Sequence, residues 1–358
     1  MTIDRKTVRI GFSALVLSTM LGLSGCADNS NAVLPGSATP GLASGGATYV
    51  YAIQAPSSTS TAILQYSLSG SSTNLTPTAT LNAPTGVSFT CLAVDSTGQI
   101  YAGAYVIATG VGEVLVYAAG STGAATPSRT ILGGTTTQSA TFGQPISLQV
   151  TSAGTLGIFS YNSSGYSFAT TTAATATGAV VPTTLLQGTS TGLYSAVAGT
   201  MDANGKIYIT NYSSGGTGQV LVYAPGATGN TAPIATITTP SATVPYGIGT
   251  DSSGNIYVVV DPVTGSTGAS VYVYASTATG AATPTRTISG SSTGINFGGG
   301  LRVDSVGNFY MINETLVGTN SYTFNVLAFG PTASGNVASP LNIASSALTS
   351  PDAQIAVR

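Results

Sequence analysis

Residues 250–258 read TDSSGNIYV, and the same pattern returns as VDSTGQIYA from Val94, MDANGKIYI from Met201 and VDSVGNFYM from Val303. A decayed copy, VTSAGTLGI, starts at Val150. The marker positions Asp95, Thr151, Asp202, Asp251 and Asp304 are 56, 51, 49 and 53 residues apart, which sets an internal period near fifty. Aspartate first and glycine fourth is the preference of a type I turn, with the carboxylate accepting from backbone amides ahead of it, and the β-branched and aromatic residues that follow favour a strand. Each copy therefore reads as a turn leading into a strand.

A second signature follows each turn: GEVLVYAAGSTGAATP from Gly112, GQVLVYAPGATGNTAP from Gly218 and ASVYVYASTATGAATP from Ala269. A strand ends at Tyr117, Tyr223 or Tyr274, a Gly- and Thr-rich loop leads to a proline ten residues later, and another short strand follows, as in SRTIL, IATIT and TRTIS. Looser versions are AILQYSL from Ala62, GYSFATT from Gly165 and FNVLAFG from Phe324. Four short strands per unit, with no segment of helical period, is the size of a propeller blade; an immunoglobulin-like domain needs roughly 100 residues. Second strands are marked by Tyr51, Tyr101, Gly157, Tyr208, Tyr257 and Tyr310, giving six blades.

The two ends of the repeat region complement each other. The repeats begin at ATYVYAIQ with a second strand and finish at DAQIAVR with a first one. The last strand is expected to complete the first blade and close the ring, which removes exposed sheet edges. The repeated turn, strand and proline pattern resembles that of the NHL-repeat and related TolB-like six-bladed propellers across residues 47–358. The resemblance implies an all-β fold of four-stranded antiparallel blades. It implies no single activity, because lactonases, lyases, receptor modules and proteins without known chemistry share that fold.

Composition narrows the function classes. Charged residues are 5% of the 358-residue chain against the usual quarter, and there is no histidine. The lack of histidine removes Ser-His-Asp triads, most zinc sites and the commonest general base. Arg5, Lys6 and Arg9 precede a mostly apolar run, Ile10 to Leu23, which reads as a signal peptide over residues 1–25. It ends in Leu23-Ser24-Gly25-Cys26, resembling the lipobox of bacterial lipoproteins, with Cys26 as the lipid attachment site. Ala27 after the cysteine implies the outer membrane in the Gram-negative pattern. Residues 26–46 read as the lipidated cysteine and a flexible Pro- and Gly-containing tether to the propeller, residues 47–358. Cys91 is then the other cysteine, read as a buried small hydrophobe. Without the signal, five basic residues face nine acidic ones, a net charge of minus four, and no basic patch attracts nucleic acid.

Candidate sites fall into two sets. Asp95, Asp202, Asp251 and Asp304 lie in turns around one rim, too far apart to act together, and are read as structural; the oxygens and terminal glutamate of a calcium loop are absent. The other face gathers the ends of the second strands, where Asn211, Asn313, Asp261 and Glu314 stand. Arg302 is charged where its counterparts Ala93, Gln149, Thr200, Gly249 and Ala356 are not, which suits either an anion near the channel or a nearby acid. These five are the candidate ligand-binding residues. The leading expectation is a lipid-anchored, monomeric, non-catalytic binding or interaction module of the envelope, contacting an unidentified envelope protein or a polysaccharide. No cofactor is expected. One alternative is a metal-dependent hydrolase of sugar lactones or similar esters, with a divalent metal in the channel held by Asn211, Asn313 and Glu314. Another is a structural surface component whose Thr, Ser and Gly loops contact polysaccharide.

Overall fold

The computed structural model describes residues 41–57, 60–68, 75–133, 142–162, 165–263, 268–318, 321–344, 348 and 354–358. Its strands form six small sheets in a ring, a six-bladed β-propeller. Blade 2 contains Val87–Val94, Ile100–Val106, Gly112–Tyr117 and Arg129–Leu132, running antiparallel from the axis outward. Blade 3 has Gln144–Val150, Thr155–Asn162, Gly165–Thr172 and Thr184–Gln187, and blade 4 has Ser195–Met201, Ile207–Tyr212, Gly218–Tyr223 and Ala235–Thr238. Blade 5 comprises Thr243–Thr250, Ile256–Pro262, Ser270–Tyr274 and Arg286–Ile288; blade 6 comprises Phe297–Val303, Phe309–Gly318, Ser321–Phe329 and Leu341–Ala344. Blade 1 is composite: Ile355–Val357 pairs with Tyr49–Ser57, followed by Ser60–Ser67 and Ala79–Asn82. Successive inner strands touch all the way round, from blade 6 through Ile355–Val357 to blade 2, so the ring is closed by the two chain ends.

The alternation of each strand puts one side-chain set on each sheet face, and every blade face is covered by its neighbour. The buried apolar residues accordingly form six clusters, one per blade interface. Between blades 5 and 6, for example, Tyr257, Val259 and Val271 meet Leu301, Phe309 and Met311. The inner strands of blades 2 to 6 carry a β-bulge, as between Phe89 and Cys91 or Gly298 and Leu301, which bends the strand where it passes the axis.

Outer edges are joined as well. In blades 2 to 6 the loop before the outer strand reaches back to the outer strand of the preceding blade and makes a one- or two-residue parallel pairing: Leu81 with Gly123, Ile131 with Gly178, Leu186 with Gly229, Ile237 with Gly280, Ile288 with Gly335. In the fourth of these, Gly280 N–H donates to Thr236 O at 2.7 Å and Gly280 O accepts from Thr238 N–H at 2.7 Å. These latch glycines all sit at φ between 62° and 73°, a left-handed conformation that a side chain disfavours. The Thr-Gly of the repeated loop is therefore an interblade latch.

Candidate functional site

The repeated turn is a densely hydrogen-bonded feature of blades 2, 4, 5 and 6. In blade 4 the first carboxylate oxygen of Asp202 accepts from Asn204 and Lys206 N–H at 2.9 and 3.0 Å, and the second accepts from the Tyr208 hydroxyl at 3.0 Å. Asp95, Asp251 and Asp304 repeat this with Tyr101, Tyr257 and Tyr310, each at 3.2 Å. Burial, reinforced by the aspartate charge, raises the pKa of Tyr208 and Tyr310 and keeps the hydroxyls as donors. In blade 3 both partners are missing together. Thr151 Oγ1 accepts from Thr155 N–H at 3.1 Å, and Gly157 stands at the tyrosine position with the Phe168 ring in its space, 2.7 Å from where a Cβ would lie. The rim carboxylates thus bond their own turns.

On the opposite face, Asn211 and Asn313 turn out to be one device used twice. Blade 4 is entered through Gly188-Thr-Ser-Thr-Gly192 and blade 6 through Gly290-Ser-Ser-Thr-Gly294, each a short 3-10 turn, Thr189–Thr191 and Ser291–Thr293. Asn211 Oδ1 accepts from Tyr194 N–H at 2.9 Å and Asn313 Oδ1 from Asn296 N–H at 2.8 Å, fixing the chain as it leaves that turn. Asn230 and Asn336 fix its start, accepting from Ser190 and Ser292 N–H at 2.6 and 2.7 Å. A Cβ on Gly188 or Gly290 would lie 2.5 Å from those amide oxygens, so glycine is required at both. Tyr223 donates its hydroxyl to Thr191 O at 2.6 Å from the same blade entry.

Asp261 lies at the blade 5–6 interface and accepts from Gly298 N–H at 2.8 Å; Glu314 is buried next to Asn313 on blade 6. Asn211 and Asn313 are separated by blade 5, each held by its own entry loop and, through Nδ2, by Gln219 and Asn325 respectively. Among the described residues no three His, Cys, Asp or Glu side chains group to hold a metal. Both amide oxygens that the lactonase-like set needs as ligands already accept backbone hydrogen bonds.

Arg302 is placed differently from the other four candidates. It leaves the inner strand of blade 6, and its guanidinium donates from Nη1 to Leu301 O at 2.8 Å and from Nη2 to Leu148 O at 2.9 Å. Leu148 belongs to the inner strand of blade 3, on the opposite side of the ring, so the side chain spans the channel. The small residues at Ala93, Gly249 and Ala356 leave room for that crossing. The site lies one or two residues before the repeated turns, at the turn end of the channel, and not on the face where the sequence places the ends of the second strands. Arg302 is 7% exposed, and burial lowers its pKa to about 10, so it remains charged at neutral pH.

One buried ionisable group carries a single faint mark in the sequence. Glu113, in the GEVLVY strand, is 7% exposed and its carboxyl is raised by burial, with no hydrogen-bond partner among the described residues. Its counterpart on blade 4 is the neutral Gln219, which was the one available signal. Cys91 is fully buried in the interface formed with Val114, Ile131 and Leu148. The signal segment and Cys26 lie outside the described residues. Residues 43–47 are held at the blade 6 turn, where Asn308 bonds Ala43 through both its amide atoms at 2.7 and 3.1 Å and Asp304 accepts from Ala47 N–H at 3.0 Å.

Comparison with known proteins agrees with the architecture. A β-propeller repeat family model matches residues 235–259, from the outer strand of blade 4 to the second strand of blade 5. A protein of unknown function from Bacteroides caccae superposes with a TM-score of 0.57 at 9% identity, over 87% of this chain and 99% of its own. The PQQ-bound aldose sugar dehydrogenase of Streptomyces coelicolor gives 0.44 at 10% identity, over 75% of this chain and 87% of its own. No curated protein matches in sequence. At 9% identity the likeness to the Bacteroides caccae protein is one of fold.

Proposed function

We propose that this propeller is a non-catalytic binding or protein-interaction module of the cell envelope, anchored through lipid on Cys26 at the outer membrane. The observation that carries the reading is a division of labour between the two faces. The segment leading to Cys26 is fastened at the turn face, on Asp304 and Asn308. Of the exposed large apolar side chains, the opposite face carries Ile107, Tyr194, Leu316, Val317 and Tyr322, at the ends of second and third strands or where the chain enters a blade, while Val181 and Ile234 are exposed in the loops before outer strands. Exposed apolar groups gathered on one face mark an interaction surface more often than a reaction centre. The polar side chains of that face, Asn211, Asn313 and Asp261, support the same reading because they hold loops and interfaces. A partner of this face is a protein or a polysaccharide, since tyrosine serves contacts to both.

Two experiments test the proposal. Acyl labelling should mark the protein in a globomycin-sensitive way and vanish in Cys26→Ser; an unlabelled, fully processed protein would remove the anchor. A photo-crosslinking residue at Tyr194 or Tyr322 in intact cells should give discrete adducts that one at Ser252, on the turn face, does not. Protein-sized adducts favour an interaction module and glycan adducts a surface component. The lactone-hydrolase alternative is tested directly on a lactone panel with calcium or zinc, and metal-dependent turnover that falls in Asn313→Ala would overturn the non-catalytic reading.

A further inference from the structure

The turn end of the central channel contains a cavity of about 70 Å³, walled by the ring of residues at the Arg302 position and those that follow them. Each inner strand has a sheet neighbour on one side alone, so its second edge, with N–H and C=O groups outside the ladder, is turned toward the axis. Into this polar pocket the fold puts the Arg302 guanidinium, with the Cys91 side chain near enough to act on it electrostatically. The Arg302 guanidinium has five N–H donors; two bonds are made to the carbonyl oxygens of Leu301 and Leu148, and no carboxylate bonds it among the described residues. The nearby aspartates are committed to their own turns, as Asp95, Asp202 and Asp251 show.

Two carbonyl dipoles orient a guanidinium but do not neutralise it, and a buried cation without a counter-charge is strongly disfavoured. The cavity beside it is large enough for more than one water-sized species, since a single water requires roughly 10–15 Å³ measured in this way. We infer that this cavity is an anion site, in which Arg302 holds a small monovalent anion of the halide class with accompanying water. One guanidinium balances one negative charge. A divalent oxyanion would leave the enclosure with excess negative charge, and the six inner strands leave no space for a sugar phosphate. The anion would act as a hub, joining Arg302 of blade 6 to the blade 3 side of the ring that its Nη2 already reaches.

The test uses the full mature protein. Crystals grown with sodium bromide should show an anomalous peak in the cavity within hydrogen-bond reach of the Arg302 guanidinium. In solution, the midpoint of thermal unfolding should rise with chloride or bromide relative to gluconate at equal ionic strength, following mass action for a ligand of the folded state. That halide-specific rise should be lost in Arg302→Met and retained in Arg302→Lys. A cavity without a bromide peak overturns the inference, and so does a halide effect of the same size in wild type and Arg302→Met. The crystallographic readout needs no variant, so it decides the matter even where Arg302→Met does not fold.

Discussion

The pairing of Asp202 with Tyr208 is open to a double-mutant cycle, because the protein carries its own version of the double substitution in blade 3. Asp202→Thr should keep one amide bond, as Thr151 does with Thr155 at 3.1 Å, and lose the other, a bond to a charged acceptor. It also strands the Tyr208 hydroxyl, in a side chain with 0% exposure. The lost bond and the stranded donor cost about 3 kcal/mol together. Tyr208→Phe removes the donor but leaves a carboxylate oxygen of Asp202, 6% exposed, without it, at about 1.5 kcal/mol. In the double variant nothing is stranded, so the expected cost is about 2–2.5 kcal/mol and the coupling about 2 kcal/mol. Equilibrium urea unfolding, with midpoints compared at a common slope, measures all four corners. Costs that add to within about 0.5 kcal/mol would refute the pairing as an energetic unit.

Three further outcomes follow from individual contacts. Tyr223→Phe loses the bond to Thr191 O and should cost about 1 kcal/mol, whereas Tyr117→Phe and Tyr274→Phe, whose buried hydroxyls have no hydrogen-bond partner among the described residues, should be neutral or stabilising; thermal unfolding separates the two cases. Gly280→Ala meets nothing within 4 Å, so its cost is the strain of φ 63° alone, about 1–2 kcal/mol, read from the urea midpoint. Glu113 is raised by burial, so the native state favours its protonated form; the resulting stability is present at acid pH and is lost as pH rises through the folded-state value. Glu113→Gln should therefore unfold at higher temperature than wild type at pH 7.5 and converge with it toward pH 4. A variant less stable than wild type at pH 7.5 would mean that the charged form has a partner.

What the sequence made legible was whatever the chain decides within a few residues. The contacts from Asp251 to Ser253, Asn255 and Tyr257 span two, four and six positions, so motif and structure coincide and the blade count followed. The latch was half legible. The glycine of the Thr-Gly loop recurs at a fixed place, but its partner belongs to the preceding blade, as with Gly280 and Ile237, and no local pattern names it. Arg302 stood out because its counterparts are uncharged, yet its reach to Leu148, 154 residues away, depends on closure of the ring. Asn211 and Asn313 share a strand end, which in the sequence alone makes them candidate ligands. Their shared upstream Ser-Thr-Gly turns, 19 residues earlier in each case, were the signal that they do the same loop-holding work in two blades.

These pairings also bear on why a ring of near-identical units closes in one order. Apolar interfaces of valine, isoleucine and tyrosine discriminate poorly between neighbours, since volume-conserving exchanges in such cores cost little. The polar contacts discriminate better, because a mismatched neighbour leaves a buried donor or acceptor unpaired. Asn230 and Asn336 fit the Ser-Thr-Gly turns that precede their blades, and those two turns occur before blades 4 and 6. Arg129 and Arg286 reach forward from blades 2 and 5 to the carbonyls of Ala176 and Ala333 in the next blade. Thr90 of blade 2 bonds Pro145 O of blade 3, Ser147 of blade 3 bonds Gly199 O of blade 4, and Thr210 of blade 4 bonds Tyr246 O of blade 5. The interfaces from blade 2 to blade 6 thus carry differing sets of polar contacts within a similar apolar layer. In a chain with 5% charged residues, order around the ring is specified mainly by amides and hydroxyls, and the one arginine at the axis is the exception that calls for a counter-charge.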